Sequence, residues 1–186
     1  MLMKRVMKLA VKKQLAAMII GMSLIFPLSV AVNAEEAVVF PSPTAFTVNM
    51  ELGDIRQATA WLDAGLPPDF MGSRIGSGLM IAAWEGNIDL MRLFISRGAD
   101  INALSSSGES PIVMAAWRGN LEAVKWLLER GARINAAPRQ WSALHYAVFA
   151  GHSEVADYLM AQGADINAQS TNGSTVVMMA IYEGRE

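Results

Sequence analysis

The 186-residue sequence contains no cysteine. That excludes a disulfide framework, a thiol nucleophile and any zinc site built on thiolates. Histidine is nearly as scarce, with His145 and His152 the only two. No H-E-x-x-H pair, Gly-rich phosphate loop, G-x-S-x-G elbow or metal-ligand spacing occurs. The expectation is therefore a non-enzyme with no catalytic residue, no cofactor and no metal. Lysine is also sparse, and beyond residue 34 only Lys125 remains. From there on, ten basic residues stand against seventeen acidic ones, a net charge of −7. Nucleic acid requires clustered positive charge, and an anionic lipid surface requires the same. Neither is expected as a partner.

Acidic residues are absent before Glu35, while Lys4, Arg5, Lys8, Lys12 and Lys13 form a basic head. Leu15 to Val32 is uncharged and largely apolar, and Val32-Asn33-Ala34 places small residues at −3 and −1 of a junction. This is the pattern of a secretory signal peptide, residues 1–34, with cleavage after Ala34. An uncleaved membrane anchor is the alternative, since the apolar run is just long enough to span. Pro27 and the small-residue junction favour cleavage. The protein is then expected in the periplasm or outright secreted, with no membrane contact once the signal is removed. Residues 35–44, with Pro41 and Pro43, read as an extended lead-in.

The remainder is periodic. The pairs Gly53-Asp54, Gly86-Asn87, Gly119-Asn120 and Gly151-His152 recur at 33, 33 and 32 residues. Gly65, Gly98, Gly131 and Gly163 repeat those spacings, as do Asp69, Asn102, Asn135 and Asn167. Within one unit, Ser110 precedes Pro111, a cap followed by a residue whose missing N–H costs nothing at a helix start. Ala115 and Ala116 permit a close neighbour, and Gly119 permits a left-handed helix end. Leu121, Val124, Leu127 and Leu128 then form an apolar stripe at helical spacing. Two helices this short cannot bury such a stripe alone, so neighbouring copies must.

The TPLHxA signature has counterparts in Ser77-Gly-Leu-Met-Ile-Ala82, Ser110-Pro-Ile-Val-Met-Ala115, Ser142-Ala-Leu-His-Tyr-Ala147 and Thr175-Val-Val-Met-Met-Ala180. With the spacing, this resembles the ankyrin repeat, a unit of two helices and a protruding β-turn finger. The resemblance implies an all-α solenoid over residues 45–186. Its repeats fall near 45–70, 71–103, 104–136, 137–168 and 169–186, the last incomplete. The glycine-rich turn from Gly72 to Gly78 reads as a looser finger than the others. The apolar last helix has no partner helix in its own repeat, which reads as the mark of a fragment.

Such an array implies a protein partner held on the concave helix face and the fingers, and the array itself is expected to be a monomer. Trp84, Trp117, Phe149 and Tyr182 occupy one repeat position and should stack into a column. Glu85 and Arg118 border it, and Glu109, Arg139 and Trp141 lie on the fingers. These nine residues are the candidate partner-binding set. Trp61 and Trp126 fall within apolar stripes and read as core. His145 and His152 occupy repeat positions that bond backbone, and Asp100 and Asp165 recur beside turns, so all four serve geometry. Two further readings stand beside a periplasmic binding module. One is an ankyrin segment of a larger truncated protein, and the other a secreted effector acting on host proteins.

Overall fold

A computed structural model describes residues 40–182 and Gly184. The segment read as a signal, most of the lead-in, Glu183, Arg185 and Glu186 lie outside the described residues. Nine helices and no strands are found among those described. They form pairs: α1 (Pro43–Glu51) with α2 (Ile55–Asp63), α3 (Gly78–Glu85) with α4 (Ile88–Ser96), and α5 (Pro111–Arg118) with α6 (Leu121–Leu128). Then come α7 (Ala143–Ala150) with α8 (Ser153–Ala161), and α9 (Val176–Tyr182). The first helices of successive pairs pack on one another in the order α1, α3, α5, α7, α9. Their closeness follows from side-chain size, because Ala82, Ala83, Ala115, Ala116 and Ala147 are all fully buried. Leu90, Met91, Phe94, Val124, Leu127, Val155 and Leu159 from the second helices complete the core. Among the described residues no helix is long and apolar enough to cross a membrane.

The helix starts follow local chemistry. Ser42, Ser77 and Ser142 each accept a bond from the backbone N–H three residues on, at 3.2, 3.4 and 3.3 Å. At Ser142 the cap is reciprocal, since its own N–H donates to His145 Nδ1 at 3.2 Å. In the earlier repeat Met80 takes the place of the histidine, and its thioether sulfur accepts from the Ser77 N–H at 3.5 Å. Ser110 departs from expectation: its side chain makes no cap bond, and Pro111 at the first position carries the start alone. The lead-in is also shorter than its sequence suggests. Ser42 and Pro43 start α1 with the same chemistry that Ser110 and Pro111 display in outline, so Pro43 and Thr44 are helical.

Successive repeats are locked by polar side chains that reach backwards. Asn120 Nδ2 donates to the carbonyls of Ala83 and Trp84 at 3.1 and 2.6 Å. His152 Nε2 donates to the Trp117 carbonyl at 3.0 Å. Each reaches a helix end closed by a left-handed glycine, Gly86 or Gly119. A Cβ on Gly119 would lie 2.6 Å from His152 Nδ1, so glycine is needed there for space as well as for φ. A second ladder runs along the turns, where Asn102 accepts from the Arg133 N–H at 2.8 Å and Asn135 from the Asp165 N–H at 2.9 Å. Asp100 and Asp165 each accept from the N–H two residues on, the geometric role their spacing predicts.

The glycine-rich finger is not loose. The Gly72 N–H donates to the Gly76 carbonyl at 2.8 Å, and Met71 bridges Ser77. The Ser73 N–H donates to Thr47 Oγ1 at 2.9 Å, and Arg74 pairs with Glu51 at 2.7 Å, which ties the finger to α1. Its glycines allow a tight return of the chain, and hydrogen bonds then fix it.

Candidate functional site

The repeat positions that carry aromatic residues meet across the stack. Trp84 and Trp117 contact edge to face, with centroids 5.4 Å apart. Trp117 then packs on Tyr146 at 4.7 Å, and Tyr146 on Trp141 at 5.0 Å. Trp141 meets Phe149 edge to face at 5.6 Å. One row of rings thus crosses α3, α5 and α7. Trp84, Trp117, Tyr146 and Trp141 are half-buried, and Phe149 is exposed at 43%. Trp61 and Trp126, by contrast, are buried in the core, and the Arg130 guanidinium lies 3.9 Å from the centroid of Trp126.

The row differs from the expected column. A register of about 33 residues sets Phe149 beside Trp117, but Tyr146 sits there and Phe149 joins only through Trp141. The third finger, at 137–141, is one residue shorter than the others, and Trp141 at its end packs against both rings. Its Nε1 donates to Thr171 Oγ1 at 3.2 Å, which fixes the indole from the next finger. Tyr146 was not among the nine candidates. Its signal in the sequence is the aromatic pair Tyr146 and Phe149, three apart on one helix and therefore neighbours on its surface. Tyr182 ends α9, and its side chain lies outside the described residues.

The charged candidates divide. Glu109 accepts from Ser105 Oγ and, at 3.3 Å, from the Tyr146 hydroxyl. Burial, together with the Glu109 carboxylate, pushes the Tyr146 hydroxyl up to about 12, so it remains a donor. Arg118 is exposed, with its guanidinium carbon 5.6 Å from the centroid of Trp84, one repeat back. Glu85 is exposed at the end of α3. Arg139 is exposed, with φ 60° in the left-handed region. His145 is fully buried beside Ser142, and burial pushes its pKa down, opposed in part by the backbone of Ser174 and Ala168 and by Asp165. Its Nδ1 accepts from the Ser142 N–H, so the neutral ring carries its proton on Nε2.

Beside Trp84 and Trp117 the fingers at 71–76 and 105–109 enclose an open groove of about 590 Å³. Trp84, Trp117, Met114, Glu109 and Arg74 line it with the serines of the second finger. No group of His, Asp or Glu among the described residues is arranged to hold a metal ion. The arrangement offers aromatic faces, a carboxylate and finger edges, which suit recognition of a polypeptide surface.

Residues 79–170 match the family model for ankyrin repeats, with three copies. No curated protein matches the chain.

Proposed function

Because the chain carries ankyrin repeats, and such repeats are in general protein–protein interaction modules, we propose that it is a non-catalytic binding module, exported to the periplasm, that holds a protein partner on its aromatic row and fingers. One observation carries this reading: Trp84, Trp117, Tyr146, Trp141 and Phe149 form a continuous row that keeps ring area open to solvent across three repeats. Trp and Tyr are favoured interface anchors, and a contiguous exposed apolar row marks an interaction site more often than scattered residues do. The export element rests on the basic head, apolar run and small-residue junction of residues 1–34.

The test begins with affinity capture from periplasmic extract, followed by binding measurements on the captured protein. Trp117→Ala should weaken that binding at least about 30-fold, the equivalent of a central anchor worth on the order of 2 kcal/mol. A large loss of unfolding stability with binding unchanged would make the row packing alone. Intact mass of the processed protein should correspond to a chain beginning at Glu35. A protein that keeps residues 1–34 and fractionates with membranes would overturn the export element.

A further inference from the structure

The groove between the first two fingers has a chemical bias. Several backbone donors of the two fingers are committed within them or to α1: the Gly72 N–H goes to Gly76, the Ser73 N–H to Thr47, and the N–H groups of Ser107, Gly108 and Glu109 to Ser105. Its one cationic side chain, Arg74, is engaged by Glu51. Against them stands acceptor capacity that is still open. Glu109 receives one bond at each carboxylate oxygen, and an ionised carboxylate offers about four lone-pair sites. Beside it stand the rings of Trp84 and Trp117, which line the same groove. An anionic ligand would find no spare donor among those named and would meet a carboxylate. A cationic side chain would find both of its preferred partners. The molecule supplies its own precedent, since the Arg118 guanidinium lies over Trp84 although Arg118 does not line the groove.

We propose that this groove receives an arginine or lysine side chain from an extended segment of the protein partner, with Glu109 pairing its charge and Trp84 and Trp117 flanking it. This rests on the protein-binding reading above and adds the chemistry of what is bound. The overall acidity of the chain beyond residue 34 favours the approach of such a segment.

The probes are capped pentapeptides Gly-Ser-X-Ser-Gly in which X is arginine, lysine, citrulline, norleucine or glutamate, titrated against the whole protein. The indole N–H resonances of Trp84 and Trp117 are followed by NMR. Arginine and lysine peptides should shift both resonances, and citrulline and norleucine should bind at least about tenfold more weakly, as a desolvated cation–π and ion-pair contact requires. Glu109→Gln keeps the shape and the acceptor for Tyr146 and should abolish that preference. Trp84→Phe, which preserves packing, should weaken the arginine peptide while retaining its preference over norleucine. Equal binding of arginine and citrulline, an unchanged preference in Glu109→Gln, or no shift at either indole overturns the proposal. If a captured protein still depends on Trp141 and Phe149, that failure is confined to the groove. A captured protein indifferent to Trp117, Trp141 and Phe149 would instead remove the reading beneath it.

Discussion

Helices α5 and α9 descend from the same motif, Ser/Thr-x-x-x-x-Ala, yet they live in different surroundings. In α5 every residue from Pro111 to Ala116 is buried. In α9 Val176 and Met179 are buried, while Val177, Met178 and Ile181 are 50%, 58% and 73% exposed. The difference lies in neighbours rather than in hydrophobicity. Helix α5 is packed by α3, α6 and α7, whereas the contact of α9 is with α7. Beside α9 an apolar groove of about 410 Å³ stays open, lined by Met160, Ile166, Val177 and Ile181. In a stacked array a helix is buried on every apolar side only when the repeats on both sides of it supply atoms, so stability is shared between units.

The sharpest way to break that comparison is to truncate a side chain in each setting. Leu127→Ala, in α6 and fully buried, should cost about 2–5 kcal/mol in denaturant unfolding. Ile181→Ala should change stability by no more than about 0.5 kcal/mol. Equal costs would mean that α9 is packed as well as the interior. Native-state hydrogen exchange probes the same contrast without mutation. Amides of residues 176–182 should exchange well before those of Leu121 to Leu128, because a helix packed on one side opens at lower free energy than one packed on several. Similar protection in the two segments would refute the difference in local stability.

A smaller effect separates two glycines. Both Gly119 and Gly131 have positive φ, so alanine at either should cost about 1–2 kcal/mol in backbone strain. Only Gly119 faces His152, whereas a Cβ on Gly131 would meet nothing within 4 Å. Gly119→Ala should therefore be clearly the more damaging, and equal costs would show that the backward reach of His152 contributes little. The smallest effects come from pH. The lowered pKa of His145 means the fold favours its neutral ring. Its contribution is complete above the usual 6.5 and is lost as pH falls from there through the folded value. His145→Gln should flatten that part of the stability profile. Tyr146 acts at the other end: its contribution is present below pH 10 and is lost as pH rises through about 12. Ultraviolet titration should find its phenol ionising near the latter value.

Much of this was legible in the residues. The paired series of glycines with Asn, Asp or His marks the ends of α3, α5 and α7 and the starts of α4, α6 and α8, because left-handed caps leave little choice of residue. The start of α1 escapes the same reading: Ser42 and Ser77 are 35 residues apart, two more than the period, and the two prolines nearby suggest extended chain. The aromatic row was half legible. Periodicity identifies residues at equal heights in successive repeats, which suffices for Trp84 and Trp117. It says nothing of how a ring from a shortened finger enters the gap, so the Tyr146 and Trp141 contacts follow only from the folded chain. The donor balance of the groove was likewise invisible, since it depends on which N–H groups the fingers use internally.

The backward-reaching side chains bear on how such an array can be edited. Because Asn120 completes the helix end at Gly86, and His152 the one at Gly119, a joint belongs to two successive repeats and has a direction. The interchangeable cassette is therefore not the visible helix pair with its finger. It runs from one glycine to the polar residue that answers it a repeat later. A transplant cut at the fingers would leave donor and recipient halves mismatched at both seams. One cut so that each glycine keeps its own Asn or His should join without loss, and would allow the recognition surface to be lengthened one unit at a time.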